Sequence, residues 1–137
     1  MKHRIIIPCE KEKLESVRVF VQRQLDTYGL SEIESHKLVL AIDEVCANMI
    51  IHSNNCDPNE SLELEMKFKK NENIIFVIRD KGESFDINAY KEPSMQEIIS
   101  SKRKGGLGLM LVKRIMDKIE FSTEKNHNIC RLIKTYP

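Results

Sequence analysis

Between Leu38 and Asn55 the chain reads LVLAIDEVCANMIIHSNN. Leu38, Ile42, Val45 and Met49 recur at steps of three and four, the period of one helical face. The residues beside them, Val45-Cys46-Ala47 and Met49-Ile50-Ile51, are apolar too, so the helix is expected to be buried nearly all round. Yet it carries Glu44, Asn48 and His52. Residues four apart on an α-helix are displaced by only about 40° around the axis. These three therefore make a slowly winding polar ridge. Polar residues on amphipathic helices usually point to solvent, but apolar neighbours on both sides leave this ridge in need of a partner.

The rest of the chain limits what that partner is. With 137 residues, one domain is expected. Lys+Arg is 22 and Asp+Glu is 21, which argues against bulk electrostatic binding to nucleic acid or an anionic membrane. No apolar run approaches the roughly 20 residues of a spanning helix, and the three isoleucines near the N-terminus are too short a core for a signal peptide. A cytoplasmic location is expected. Cys9, Cys46, Cys56 and Cys130 form no CxxC pair and are read as reduced thiols without chemistry.

HRIIIP reads as a short strand ended by Pro8. From Glu10 a helix follows, with Leu14, Val17, Val21, Leu25 and Tyr28 on one stripe and Gly29 as its stop. Ser31 and Glu34 form a capping box for the second helix, which is expected to run to Ser53 or Asn54. In SLELEMKFKK, Leu62, Leu64, Met66 and Phe68 alternate with charges, a strand with one wet face. NEN turns into IIFVIRD, its antiparallel partner. After a long polar segment, in which Ser94 to Glu97 can cap a brief helix, LGLMLVKRIMDK is helical by period, and IEFSTE with ICRLIKTY closes the chain as a hairpin. The predicted fold is α+β: a two-layer α/β sandwich, its sheet mixed but mostly antiparallel, with helices on one face.

Four of the five glycines lie at the edges of the long polar segment. Before it, in IRDKGESFD, Ile74, Phe76, Ile78 and Asp80 share a face by period two. If the isoleucines face the helices, so does Asp80. A carboxylate there needs a hydrogen-bond donor, such as the exocyclic amine of adenine, and Gly82 would let backbone turn beside a flat ring. After it, Gly105, Gly106 and Gly108 lead into a helix whose free N–H groups suit an anion, with Lys102, Arg103 and Lys104 adding charge. Taken alone, a DxG is usually a turn, and a GGxG is often structural. Carboxylate, amide and phosphate together point to a hard cation. Mg²⁺ accepts an Asn oxygen and completes its shell with phosphates and water.

The series E-x-x-x-N-x-x-x-H on a helix, then D-x-G-x-x-F, then G-G-L-G-L resembles the N box and two glycine boxes of the GHKL ATPase superfamily. In brevity and in its GGLGLMLVKRIMDKIEF end it is most similar to the anti-sigma-factor serine kinases of the RsbW and SpoIIAB type. The resemblance covers almost the whole chain. It implies a Bergerat ATP-binding fold with an ATP lid over about 86–104. Carried over by position, it implies Glu44 as catalytic base and Asn48 as the Mg²⁺ ligand, with Asp80 and Gly82 at the adenine. Lys104, Gly105, Gly106, Leu107, Gly108 and Leu109 would lie around the phosphates. His52 and Phe85 would line the pocket. The implied function is ATP-dependent phosphorylation of a Ser or Thr on a small STAS-type anti-anti-sigma partner, together with sequestration of a sigma factor, in a homodimer. Asp43, Lys102 and Arg103 lie near the same mouth. Two alternatives are a nucleotide-binding sequestering module without important transfer, and a histidine-kinase catalytic domain detached from its sensor.

Overall fold

A computed structural model describes residues 2–50, 59–69, 71–80, 106–124 and 127–135. Strand β1 (Lys2–Pro8) leads through a 3-10 turn at Lys11–Lys13 into helix α1 (Leu14–Thr27) and helix α2 (Glu32–Asn48). Strands β2 (Ser61–Lys69) and β3 (Asn73–Asp80), helix α3 (Gly106–Ile115) and strands β4 (Lys118–Glu124) and β5 (His127–Thr135) complete the order. The strands form one sheet in the order β1-β2-β3-β5-β4. All four pairings are antiparallel. The expected lid at 86–104, the brief helix at Ser94 to Glu97, the end of the second helix at Ser53 or Asn54, and Cys56 lie outside the described residues.

The period-two reading of β2 and β3 places their apolar rows against the helices. Leu62, Leu64, Met66, Ile74, Phe76 and Ile78 are at most 1% exposed and join Val17, Val21, Leu25, Leu38, Ile42 and Val112 in one core. Burial of this kind, at about 25 cal/mol per Å² of apolar surface, is what holds the two layers together. Cys9, Cys46 and Cys130 are buried in that core. The opposite face of the sheet is drier at its centre than a wet face would be. Ile75 and Val77 are buried there, and so is Glu65. Burial pushes the Glu65 carboxyl up, but Lys67, Lys2 and Arg79 at 3.4–3.6 Å outweigh it, and the group titrates below its usual range.

Local signals set the helix ends. Gly29 N–H donates to Asp26 O (3.1 Å) and Leu30 N–H to Leu25 O (3.3 Å), the paired bonds of a Schellman cap, with Gly29 at φ 76°. Ser31 Oγ accepts from Glu34 N–H at 3.2 Å, which caps α2. The reciprocal half of the box is replaced by a Glu34–Lys37 pair. The first helix starts at Leu14 rather than Glu10, because the 3-10 turn takes up the intervening residues. The third ends at Ile115, short of Lys118. There Asp117 is drawn to β5: its N–H donates to Ile133 O and its Oδ2 accepts from Thr135 N–H. Among the described residues no helix is long and apolar enough to cross a membrane.

A side chain at Gly29 would meet no atom within 4 Å, so its cost is purely that of the backbone. Gly29→Ala is expected to lower stability by about 1–2 kcal/mol, the left-handed penalty of an L-residue, without changing the denaturant slope. Urea denaturation checks this; an unchanged midpoint would refute the cap.

Candidate functional site

Hydrogen-bond register aligns Ile7, Leu62, Asp80, Asn128 and Thr123 across all five strands at one end of the sheet. The row behind it is Ile5, Leu64, Ile78, Cys130 and Phe121. At the far end, Tyr28 stacks on Phe68 with ring centroids 3.7 Å apart and planes 7° apart, and His3 meets both edge-on. Tyr28 closes α1, so α2 sets out from that far end. Cys46, near the end of α2, lies within electrostatic reach of Cys130, and Cys130 of Asp80. Helix α2 therefore spans the sheet lengthwise and delivers its last turns to the Asp80 end. Glu44 and Asn48 flank Cys46 by two residues on either side.

Asn48 is 6% exposed. Its Nδ2 donates to the Glu44 carbonyl at 2.9 Å, so the helix itself takes the donor end of the amide and the Oδ1 end is turned away from that carbonyl. An amide held so offers oxygen, the atom a hard cation takes. The α-helix proper ends at this residue. Met49 and Ile50 continue it as a wider π turn, a departure found frequently at functional sites. Among the described residues no group of three or more His, Cys, Asp or Glu is placed to hold a metal. A cation taken by Asn48 Oδ1 would need ligand oxygens and water for the rest of its shell, which is how Mg²⁺ is ordinarily held beside phosphates.

Glu44 is half-buried, and its carboxyl is pushed above the usual range, first by burial and then by the neighbouring Asp43 charge. Asp43 is held by Arg18 of α1, Nη1 to Oδ1 at 2.9 Å. A carboxylate raised in this way is a better proton acceptor than an ordinary surface one. Burial, followed by the nearby Asp43 and other thiols, pushes Cys46 far up, and burial and Asp80 do the same to Cys130, so both thiols stay protonated and unreactive.

Asp80 is 2% exposed and sits on the helix-facing side of β3, as period two predicts. Its Oδ1 accepts from Asn128 Nδ2 at 2.9 Å. Asn128 is directly opposite in register and 6% exposed; the sequence pattern starts the last strand at Ile129 and so does not single it out. Gly106, Leu107, Gly108 and Leu109 form the first turn of α3, where the backbone N–H groups have no partner within the helix. The structure therefore brings Glu44, Asn48 and Asp80 to one end of the fold. His52, Gly82, Phe85, Lys102, Arg103, Lys104 and Gly105 lie outside the described residues. A separate cleft of about 460 Å³ between β1 and α1, lined by Ile5, Val19, Phe20 and Arg23 among others, contains none of these groups.

A sequence profile of the Histidine kinase-like ATPase domain matches residues 7–134. The chain is 28% identical over 123 residues to the serine-protein kinase RsbW of Halalkalibacterium halodurans, covering 86% of this chain and 74% of that protein. It is 26% identical over 127 residues to the serine-protein kinase RsbW of Bacillus subtilis, covering 89% and 76%. Among solved structures, the RsbU and RsbW domains of a Mycobacterium tuberculosis protein superpose with a TM-score of 0.67 at 12% identity. That match covers 100% of this chain, which spans 33% of the mycobacterial one. A histidine kinase domain from Erythrobacter litoralis gives 0.58 at 12% identity, over 93% of this chain and 61% of that one. These two likenesses bear on the fold alone.

Asp43→Asn removes the smaller of the two causes that raise Glu44. Glu44 is then expected to titrate at lower pH than in the wild type, yet above the ordinary carboxylate value, because burial is untouched. Carboxyl-carbon NMR through a pH titration reads this; a Glu44 curve that stays put or moves upward contradicts it.

Proposed function

The chain belongs to the family of histidine kinase-like ATPase domains, and from that membership we propose that it is an ATP-dependent serine/threonine protein kinase of the anti-sigma type. The observation that supports this reading is that buried Asp80 lies at the end of the sheet toward which the last turns of α2, carrying Glu44 and Asn48, run. The printed names of the relatives, serine-protein kinases, favour transfer to a protein hydroxyl.

In this reading Asp80 accepts from the exocyclic amine of adenine, with Gly82 giving the ring room, and His52 and Phe85 line the pocket. Lys104, Gly105, Gly106, Leu107, Gly108 and Leu109 close on the phosphates as a lid over about 86–104 comes down. Asn48 Oδ1 would hold a Mg²⁺, which would supply neutralisation of the charge on the phosphate oxygens. Glu44 takes the proton of a partner Ser or Thr hydroxyl, whose oxygen attacks the γ-phosphorus in line. A new O–P bond forms as the bond to the ADP oxygen breaks. The acceptor is a small STAS-type anti-anti-sigma protein, and the same chain sequesters a sigma factor. The protein works in the cytoplasm as a homodimer. Its single domain spans residues 1–137.

Two variants test the reading. Glu44→Gln is expected to lower phosphate transfer from ATP to a candidate antagonist by about 10²–10⁴-fold, with ATP binding retained. Equal transfer by variant and wild type would remove Glu44 from the mechanism. Asn48→Ala is expected to abolish the Mg²⁺-dependent part of the rise in melting temperature that ATP produces. A rise that is the same with and without Mg²⁺ in the wild type would remove the metal.

A further inference from the structure

Asp80 and Asn128 are both buried on the helix-facing side of the sheet, one at the end of β3 and the other opposite it on β5, and they share a 2.9 Å hydrogen bond. Around them on the same face stand Leu62, Ile78 and Cys130. Stability does not call for such a pair, since replacing two buried hydrogen-bonding partners by apolar groups of the same shape is nearly neutral or better. The pair also sits in the row that receives the last turns of α2, where Glu44 and Asn48 arrive. Its direction is fixed: the amide nitrogen faces the carboxylate, because the reversed amide would set oxygen against oxygen.

We infer that Asn128 is a positioning residue for base selection, whose amide holds Asp80 as a fixed acceptor that admits an amino-purine and turns away a keto-purine. The inference rests on the reading of Asp80 as the group that meets the base. A donor aimed at Oδ1 favours the carboxylate that only accepts and stops it from rotating. Adenine presents an amine to such a group. Guanine presents a carbonyl oxygen at the same place, and two acceptors then face each other. Sites built around a specific polar partner reject its mismatch far more strongly than apolar pockets reject a change of size. Without Asn128, Asp80 can turn or take up a proton, and a protonated carboxyl can donate to the keto group. The ratio of affinities for the two bases should fall, beyond any loss shared by both.

The isosteric pair Asn128→Val and Asn128→Thr separates this role from simple packing, since the two differ by a hydroxyl donor at equal volume. Calorimetric titration with ADP and with GDP, in Mg²⁺, gives the ratio; thermal unfolding without nucleotide shows that each variant is folded. Wild type is expected to prefer ADP by on the order of 100-fold or more, a modest share of what polar mismatches achieve. In Asn128→Val the preference should drop about tenfold or more, the worth of one hydrogen bond, and Asn128→Thr should restore most of it. Should the Val variant not fold, Asn128→Ala against Asn128→Ser gives the same contrast in a smaller side chain. An unchanged ratio in the variant lacking the donor overturns the inference, whether affinity for both nucleotides is kept or lost equally. A wild type indifferent to the base, or an Asp80→Asn variant with the wild-type preference, overturns the reading of Asp80 itself and the inference with it.

Discussion

A carboxylate on the buried side of a central strand is the constraint around which the rest is arranged. Asp80 follows Ile74, Phe76 and Ile78 on the helix-facing side of β3, in surroundings where an unpaired charge is strongly unfavourable. The sheet meets the requirement with Asn128 on the adjacent strand. That bond depends on the β3–β5 register, and a slip of β5 by one residue would send Asn128 to the other face, away from Asp80. Secondary structure, register and polar satisfaction are thus one condition at this point, and the end of the sheet is built with little freedom to vary.

The two ends of the sheet have different duties. At one, Tyr28 stacked on Phe68 and edged by His3 ties the close of α1 to β2 and β1 through apolar and aromatic contact. At the other lie the Asp80 row and the last turns of α2, which carry Glu44 and Asn48. Helix α2 connects them, packed along its length by Leu38, Ala41, Ile42 and Val45, all at most 2% exposed. Side chains carried by such an element are placed more finely than loop residues can be. Arg18 extends the link to α1 by holding Asp43 beside Glu44.

Much of this was legible in the residues. The alternation in SLELEMKFKK and IIFVIRD set which side of the sheet meets the helices, and the same count placed Asp80 among the buried groups. Gly29 and Ser31 marked helix ends because their effects are local: a left-handed backbone and a hydroxyl cap need nothing distant. What escaped notice depends on distant partners. Asn128 looked like a loop residue ahead of ICRLIKTY, and only pairing with β3 gives it a buried carboxylate to bond. Asp117 looked like helix until its bonds to Ile133 and Thr135 are seen. The π turn after Asn48 leaves no mark in hydrophobic period. Glu65, polar by pattern, is buried because long cationic side chains fold over it from Lys2, Lys67 and Arg79.

Among the described residues strand β1 is at the sheet's edge and pairs with β2, with Lys2 opposite Lys67 and Pro8 opposite Ser61. During synthesis β1 emerges before β2, and so it cannot make this pairing until the chain has been made as far as β2. Helices α1 and α2 can form meanwhile, since their bonds are local, whereas closing the intervening loop is the slow, entropically opposed step. Three consecutive isoleucines, Ile5 to Ile7, wait through that interval with backbone donors and acceptors unpaired, and Lys2, Arg4 and Pro8 around them are the kind of residues that discourage pairing with a stranger. The order of these elements along the chain thus makes β1 wait for β2 before it is put away.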